Sequence, residues 1–566
     1  MKIKNFGRIN TGFTTTFLLL LSLPAMALSP LEEIGSYPQY NSRPNILLIL
    51  ADDLGYSDVG AFGGEIKTPA IDQLAAEGLR LSNFHVLPTC SPTRSVLFSG
   101  IDNHLVGLGT MGELRTPAMD DNAGYLGHLN FQVAALPELL QASGYRTYIA
   151  GKWHLGGDRT TNAFSRGFEQ SFALLPAGGS HWNDKKPLSP PLSMVYSRNG
   201  EIEETLPESY YSSRYFTEQI LGWLKNSDRK DKPFFAYLSF TAPHNPLHAP
   251  KAYIDKYRGV YDGGWDKLRK KRLQSLQRLG LVNVDTQAFP RLPFVPAWNS
   301  LSEEKRQLFS RDMEVYAAMV HYMDEQILRV ISYLREAGQY DNTMIVFMSD
   351  NGANGSPHTS YPQQTLDFLS SFDNSLENRG LKNSYVDMGA GWAQASMAPS
   401  RLFKGFTSEG GIKAPLIVKL PGAMSNSGHI SGEFVSVRDI MPTLLEVADV
   451  KPGDSFGSRK IIPMQGQSIL PLLSGASQKA YKGSGKLGLE LFGTRAFIDW
   501  PWKILKLPPP FGKSEWQLYN LESDPGETQD LSEKNPEKRA KMQSLWREYK
   551  NNNNILDISL NMSSVK

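Results

Sequence analysis

The chain has 566 residues, enough for three or four domains of ordinary size or for one large α/β unit. With 40% hydrophobic and 20% charged residues, its composition is that of a globular protein, which excludes a disordered or fibrous chain. Lysine and arginine total 59 and aspartate and glutamate total 57, so the formal net charge of +2 provides no basic field for binding nucleic acid.

Residues 1–27 have the pattern of a secretory signal peptide. Three basic residues precede an apolar run at residues 17–23, and Ala25-Met26-Ala27 is a small-x-small cleavage pattern. An uncleaved membrane anchor is the alternative, but the run is too short to span roughly 30 Å of hydrocarbon and Pro24 ends it. No cysteine directly follows the cleavage site, which excludes a lipoprotein anchor. We expect cleavage after Ala27 and an exported protein, periplasmic or secreted, with no membrane anchor.

Helices alternate with strands that are apolar throughout, as in a parallel sheet covered on both faces. A helix is predicted at residues 136–143, and the clearest helix lies between Ser302 and Gly338, where apolar residues recur every three or four positions. The predicted strands are 45–51, 147–150, 234–241 and 343–348. This alternation predicts an α/β fold.

Polar residues follow each of these four strands. They are Asp52 and Asp53, then Lys152 and His154, then His244, and last Asp350 and Asn351. Each group alone is equally typical of a helix cap or a turn. Because open α/β sheets bind ligands at the carboxyl ends of their strands, the repetition favours one shared site.

The pattern changes after residue 480. Short alternating and aromatic runs at 487–500, 502–507 and 516–521 predict a small antiparallel sheet, and a helix follows from about Pro536 to Lys550. We therefore expect a catalytic domain at residues 28–480 and a C-terminal subdomain at 481–566 that contains this sheet, the helix and a polar tail.

Asp52, Asp53, Asp350 and Asn351 offer three carboxylates and an amide, all hard oxygen donors. Such donors fit calcium or magnesium, and a divalent cation is the simplest way to keep three neighbouring carboxylates ionised. The alternative is that they are caps that face different ways. Cationic and hydrogen-bonding residues accompany them, namely Arg94, Lys152, His154, His244 and Lys404, as in a site for sulfate or phosphate.

Cys90 is the only cysteine, so the chain can form neither an intrachain disulfide nor a cysteine-based zinc site. The segment 95–99 predicts the start of a helix with Pro92 in its first turn, a position that stabilises negative charge. A lone cysteine is most often a small buried hydrophobic residue, and next most often a thiolate nucleophile with a histidine base. The chemistry of the sequence does not decide between them.

The segment Cys90-Ser91-Pro92-Thr93-Arg94 resembles the Cys-x-Pro-x-Arg signature of the type I, formylglycine-dependent sulfatases, and in particular of bacterial arylsulfatases. The segment 151–156, GKWHLG, resembles a second signature of that family, and similarity extends over nearly all of the mature chain. The resemblance implies the alkaline phosphatase-like fold, in which helices sandwich a large, mixed and mostly parallel sheet.

The resemblance also implies the composition of the site. Cys90 would be converted to formylglycine by a formylglycine-generating maturase during export, and residue 90 would complete a site for one calcium ion held by Asp52, Asp53, Asp350 and Asn351. Arg94 would hold the hydrated aldehyde. Sequence chemistry alone does not separate calcium from magnesium.

The catalytic roles follow from the same resemblance. Lys152 and Lys404 would bind the sulfate oxygens, and His244 with Lys404 would protonate or stabilise the departing oxide. His154 would be the base that takes a proton from the remaining hydroxyl, and Asp350 would help to deprotonate the attacking one. The organic half of the substrate would contact loops that include residues 178–215 and 355–395.

The implied activity is hydrolysis of aryl sulfate monoesters to a phenol and inorganic sulfate, through a covalent sulfated intermediate on the formylglycine hydrate. Two alternatives stay open. One is a phosphate monoesterase or diesterase of the same fold, since both anions are tetrahedral. The other is a non-catalytic binder of sulfate or sulfated glycans in which Cys90 stays unmodified.

Overall fold

A ten-stranded mixed sheet is the largest element of the computed structural model, which describes residues 43–228, 231–356, 363–422, 424 and 426–558. The predicted signal peptide, residues 1–27, lies outside the described residues. The strands of the described chain are β1 (Asn45–Ala51), β2 (Leu79–Leu81), β3 (Phe84–His85), β4 (Arg146–Lys152), β5 (Gln170–Leu174), β6 (Tyr196–Arg198), β7 (Glu201–Glu203), β8 (Phe234–Ser239), β9 (Thr343–Ser349), β10 (Leu416–Lys419), β11 (Ile430–Ser431), β12 (Val435–Ser436), β13 (Ser455–Phe456), β14 (Arg459–Lys460), β15 (Lys486–Leu491), β16 (Thr494–Asp499), β17 (Trp502–Lys506) and β18 (Gln517–Asn520). Its α-helices are α1 (Pro69–Glu77), α2 (Cys90–Ser99), α3 (Leu136–Ala142), α4 (Ser212–Asn226), α5 (Lys251–Ile254), α6 (Gly264–Arg278), α7 (Glu303–Glu336), α8 (Gln363–Ser370), α9 (Gly389–Ser396), α10 (Glu409–Ile412), α11 (Ile440–Val447), α12 (Leu470–Ser474) and α13 (Pro536–Asn552).

The large sheet has the strand order β11-β2-β10-β9-β1-β8-β4-β5-β6-β7. Its five inner strands, from β9 to β5, are mutually parallel, whereas β10, β6 and β7 pair antiparallel with their neighbours. The prediction of a mixed, mostly parallel sheet is confirmed. Because β9, β1, β8 and β4 run in the same direction, the residues that follow them meet at one edge of the sheet.

Helices cover both faces of this sheet. All seven residues of β1 are buried, and since successive side chains of a strand point to opposite faces, both of its faces must be covered. One group of helices packs around α7, namely α1, α4 and α5, and a second group consists of α2, α3 and α11. The strand is therefore apolar throughout because both of its faces are covered, as predicted.

The predicted helices and strands are present, with small shifts at their ends. The long helix α7 follows Ser302, whose hydroxyl accepts a hydrogen bond from the amide of Lys305, and Gly338 takes a left-handed φ of 65° just after it. The predicted strand 234–241 stops at Ser239. The helix predicted near residues 95–99, with Pro92 in its first turn, extends from Cys90 to Ser99, so Cys90 also lies in that turn.

A separate antiparallel sheet of four strands, β15 to β18, follows the large sheet. Helix α13 packs on it through a small apolar cluster made of Phe497, Ile504, Leu518, Met542 and Trp546. The prediction of a smaller C-terminal sheet packed with a helix is confirmed, whereas the division of the chain into domains at residue 480 stays a prediction. Among the described residues, no helix is long and apolar enough to cross a membrane.

Candidate active site

The carboxyl ends of four parallel strands bring most of the predicted site residues together. Asp52 and Asp53 follow β1, Asp350 and Asn351 follow β9, Lys152 ends β4, and the turn after β8 carries His244. Cys90 and Arg94 come from the first turns of α2, and Lys404 comes from the segment between α9 and α10. All of these residues are buried except Lys404, whose side chain is 12% exposed.

Backbone hydrogen bonds fix the segments that carry these residues. The amide of Asp350 donates to the carbonyl of Ala51 over 3.2 Å, which ties the end of β9 to the end of β1. The amide of Lys404 donates to the carbonyl of Ala353 over 3.0 Å, so the Lys404 segment is held against the chain that leaves β9. The geometry of the site therefore depends on the sheet rather than on one loop.

Three buried carboxylates face three cations, of which Lys152 and Arg94 are buried and Lys404 is partly exposed. Lys152 Nζ lies 2.7 Å from Asp52 Oδ2, and Lys404 Nζ lies 2.7 Å from Asp53 Oδ1. Arg94 Nη2 lies 2.8 Å from Asp350 Oδ2. Burial raises the pKa of Asp52, but Lys152 and the other nearby cations outweigh burial and hold that pKa below its usual range.

Asp350 differs from Asp52 in its electrostatic surroundings. Burial, with the neighbouring Asp52 carboxylate, raises the pKa of Asp350 to about 6, despite the opposing effect of Arg94. The amide of Asp53 donates to Asp350 Oδ1 over 3.2 Å, and Arg94 Nε donates to Asp350 Oδ2 over 3.0 Å. A further positive charge close to this carboxylate would favour its ionised form.

Candidate metal ligands lie close together in this cluster, and they include a sulfur and a ring nitrogen as well as carboxylate oxygens. One ligand atom from each of Asp52, Asp53, Cys90 and His244 lies within 4.8 Å of the others. Asn351 donates through Nδ2 to Asp53 Oδ1 over 2.7 Å, whereas its buried Oδ1 has no hydrogen-bond partner among the described residues. A buried amide oxygen without a partner is costly, and a cation would satisfy it. The cluster can therefore hold a metal ion.

Cys90 lies inside this charged cluster. Its Sγ atom is 3.4 Å from Asp52 Oδ1 and 3.2 Å from Lys404 Nζ, and the residue is 1% exposed. Burial raises the pKa of the Cys90 thiol although Lys152 and Lys404 act in the opposite direction. An unmodified Cys90 is thus a poor thiolate nucleophile at neutral pH.

Arg94 uses its guanidinium to join the ends of several strands. Besides Asp350, its Nη1 donates to the carbonyl oxygen of Lys152 over 2.9 Å and to Ser239 Oγ over 2.7 Å. The group is fully buried. Its contacts hold Asp350 and the end of β4 in place, and its role toward a hydrated aldehyde at residue 90 stays a prediction.

His244 and Lys404 form a pair beside Cys90. His244 Nδ1 lies 2.6 Å from the carbonyl oxygen of Asn245, so Nδ1 carries the proton and Nε2 accepts from Lys404 Nζ over 3.2 Å. Burial lowers the pKa of His244 to about 4, since it outweighs the effect of Asp53. Lys404 is therefore the member of this pair that carries the positive charge at neutral pH, whereas His244 is neutral.

His154 lies apart from the pair and has a partner that the sequence did not indicate. Its Nε2 atom is 3.0 and 3.1 Å from the two carboxylate oxygens of Glu113, which belongs to a short 3-10 turn at Gly112–Leu114. Glu113 lies in no recognisable motif, so no local pattern could have identified it.

A cavity of about 270 Å³ opens onto Cys90, His244 and Lys404. Leu188 and Tyr385 line it from the two loop regions that were expected to contact the organic half of a substrate. Much of the remaining wall is apolar and was not predicted, namely Met111, Leu114 and Phe492. Phe492 comes from the turn between β15 and β16, so the C-terminal sheet contributes to the same cavity.

Comparisons with known proteins agree with the signatures at residues 90–94 and 151–156. The family model described as Sulfatase matches residues 44–450. An uncharacterized sulfatase of Schizosaccharomyces pombe is 45% identical over 90% of this chain and 94% of its own length. The arylsulfatase of Klebsiella aerogenes is 37% identical over 79% of this chain and 95% of its own length.

A solved structure shows the same fold. The crystal structure of Ps i-CgsB in complex with k-i-k-neocarrahexaose superposes with a TM-score of 0.64 and covers 93% of this chain and 96% of that one. Its sequence identity of 23% supports a statement about the fold alone. Together with the ten-stranded sheet, this likeness confirms the predicted alkaline phosphatase-like architecture.

Proposed function

The chain belongs to the sulfatase family and is a sulfuric ester hydrolase, and on this premise we propose that it is an arylsulfatase that releases a phenol and inorganic sulfate. One observation carries the proposal. A cavity with an apolar wall leads to buried residue 90, which lies between the cations Lys152 and Lys404 and the three carboxylates. An apolar wall fits an uncharged ring, and the charged end fits the ester sulfate.

Residue 90 would act as formylglycine, made from Cys90 by a maturase. Its hydrate would supply one hydroxyl for attack on sulfur and a second whose deprotonation lets sulfate leave by carbon–oxygen cleavage. This second hydroxyl distinguishes the group from serine, which could be sulfated but has no equivalent way to release sulfate.

Asp52, Asp53, Asp350 and Asn351 would hold one calcium ion together with residue 90. The orphaned amide oxygen of Asn351 and the three carboxylates support an oxygen-loving cation. When bound, calcium would supply positive charge that polarises sulfate oxygens and favours ionisation of a nearby hydroxyl.

The chain's own cations would act on the sulfate and on the leaving group. Lys152 and Lys404 would bind sulfate oxygens, so that negative charge that grows during transfer meets fixed positive charge in a buried site. Lys404, held by His244 Nε2 at 3.2 Å, would deliver a proton or positive charge to the departing oxygen. Asp350 would help to accept the proton of the attacking hydroxyl, and His154 would accept the proton of the second one.

The test is to compare turnover of an aryl sulfate with that of the matching aryl phosphate, and to analyse the peptide that contains residue 90 by mass spectrometry. We expect sulfate and phenol in equal amounts, a strong preference for the sulfate ester, and a residue 90 that is no longer a thiol. A large preference for phosphate would identify a phosphatase instead. A thiol at residue 90 with no turnover would favour a binder of sulfate or sulfated glycans.

We also propose that the chain is exported to the periplasm or the medium and is matured by a formylglycine-generating enzyme on the way. The leader pattern at residues 1–27 supports export, and the Cys-x-Pro-x-Arg segment supports recognition by that enzyme. Amino-terminal sequencing of the exported protein tests the first proposal, because it should begin after Ala27.

A further inference from the structure

The pair formed by His154 and Glu113 has a geometry that fixes the tautomer of the histidine. Both carboxylate oxygens of Glu113 lie within 3.1 Å of Nε2, and an ionised carboxylate only accepts hydrogen bonds. Nε2 therefore carries the proton. The other ring nitrogen, Nδ1, keeps its lone pair, is buried, and has no hydrogen-bond partner among the described residues. His154 as a whole is 5% exposed.

The Glu113 carboxylate is itself held in place. Its Oε1 atom accepts a hydrogen bond from the amide of Ala177 over 3.1 Å, and its side chain is 16% exposed. The His154 backbone has a left-handed φ of 58°, a conformation that few residues other than glycine adopt. Neither partner can easily move without breaking the contact with the other.

Burial, together with nearby cations, favours a neutral imidazole at His154 and an ionised carboxylate at Glu113. Burial lowers the pKa of His154, and Lys152 and Arg94 lower it further, whereas Glu113 opposes them. Burial raises the pKa of Glu113, but His154 and Lys152 outweigh burial and hold it at about 2. Once Nδ1 gained a proton, the Glu113 carboxylate would face a full positive charge at hydrogen-bond distance and would stabilise it.

The position of Glu113 connects the pair with the active site. Glu113 lines the cavity that contains Cys90, and it also lines a second cavity of about 380 Å³ that contains His154. Gly112, Gly156 and Gly157 line the second cavity as well, so little side-chain bulk separates the histidine from it. Glu113 thus borders both cavities, whereas His154 lines only the second one.

We propose that Glu113 is a positioning residue that holds His154 as the Nε2–H tautomer, so that Nδ1 accepts the proton that residue 90 loses while sulfate is released. The proposal rests on the role given to His154 in the proposed function. In this step the O–H bond breaks, its proton moves to Nδ1, and the electron pair on oxygen forms the carbonyl as the bond to the departing sulfate breaks. Glu113 takes no part in the attack on sulfur.

A first experiment reads the tautomer without any turnover. The full chain has ten histidines, and 15N-histidine labelling of the wild type and of His154→Gln identifies the His154 signals by their loss. We expect the Nε2–H tautomer in the wild type, a lower His154 pKa in Glu113→Gln, and loss of the tautomer preference in Glu113→Leu. An Nδ1–H tautomer in the wild type would overturn the proposal.

A second experiment separates the two halves of the reaction with p-nitrophenyl sulfate. For Glu113→Gln we expect kcat to fall about 10- to 100-fold, as is typical when a partner that orients a histidine is lost. We expect kcat/KM to change less than about threefold, because it reports the steps up to release of the phenol. A burst of phenol in the first turnover should accompany this split. An equal fall of kcat and kcat/KM, or an unchanged kcat, would overturn the proposal.

Glu325→Gln is the matched control. Glu325 forms another carboxylate–histidine pair, with His321 at 3.3 Å on α7, and neither residue lines the Cys90 cavity. This variant should keep the wild-type kinetics, and Glu113→Gln should keep the wild-type circular dichroism. If the wild type released no sulfate from aryl esters, the proposed function would fail, whereas the tautomer experiment would still decide the state of the His154 ring.

Discussion

Replacing Lys404 with methionine removes one positive charge from the place where the leaving group is expected. Lys404 Nζ lies 3.2 Å from Cys90 Sγ, 3.2 Å from His244 Nε2 and 2.7 Å from Asp53 Oδ1. A unit charge about 4 Å from developing negative charge is worth about 4 kcal/mol at an effective dielectric constant of about 20. Since the side chain is 12% exposed, water would replace part of this stabilisation. We expect a loss of about 2–3 kcal/mol, or about 30- to 160-fold in kcat/KM.

The assay is a series of aryl sulfates whose phenols differ in pKa. If Lys404 donates to the departing oxygen, Lys404→Met should lose most activity with the poorest leaving groups, and the plot of log kcat/KM against phenol pKa should become steeper. Lys419→Met is the control, because Lys419 is a buried lysine that contacts backbone carbonyls and does not line the Cys90 cavity. A loss that is equal for all phenols, or smaller than about tenfold, would refute the leaving-group role.

Three further variants test the modified residue, the metal site and a buried histidine. Cys90→Ala should abolish hydrolysis and keep the wild-type circular dichroism, and any retained turnover would contradict the nucleophile. Asp350→Asn should lower both the calcium affinity and kcat/KM, because it removes a ligand charge but keeps the shape of the side chain. Calorimetry measures the affinity, and an unchanged affinity would exclude Asp350 as a ligand. Burial lowers the pKa of His104, but Asp102 and Glu490 outweigh burial and raise it from 6.5 to about 9. The pairing of protonated His104 with these carboxylates therefore contributes about 3 kcal/mol to the free energy of unfolding. This contribution is complete below pH 6.5 and is lost as the pH rises to about 9. Thermal midpoints measured from pH 6 to 9.5 should thus fall less in His104→Gln than in the wild type, and parallel curves would show that this pair does not contribute.

The strands and the residues that follow them were predictable because their signals are local. An apolar run such as Asn45–Ala51 can be buried on both faces only in a covered parallel sheet, and the prediction gave its bounds correctly. The helix α7 was predictable for the same reason, since its apolar spacing and its capping serine both lie within the segment. The gathering of Asp52, Lys152, His244 and Asp350 then follows from the direction of the strands.

The parts that sequence did not predict depend on contacts between distant segments. Glu113 pairs with His154 through a short 3-10 turn, and a lone glutamate in a loop carries no sign of its partner. Phe492 reaches the Cys90 cavity only because the β15–β16 turn packs there, and no periodicity within that hairpin indicates this packing.

The C-terminal sheet holds the segment that carries Lys404, although no strand of it pairs with the large sheet in the described chain. Arg401 donates to the carbonyl oxygen of Phe511 over 2.6 Å, and Glu409 lies 2.8 Å from Lys503 Nζ on β17. Lys503 is fully buried and also lies 2.8 Å from Glu527. Breaking a buried ion pair by removing one partner costs about 3–5 kcal/mol, so the pair of Glu409 with Lys503 holds the carboxyl end of the Lys404 segment strongly. The proposed leaving-group role of Lys404 therefore depends on the C-terminal sheet, although that sheet contributes none of the predicted metal ligands.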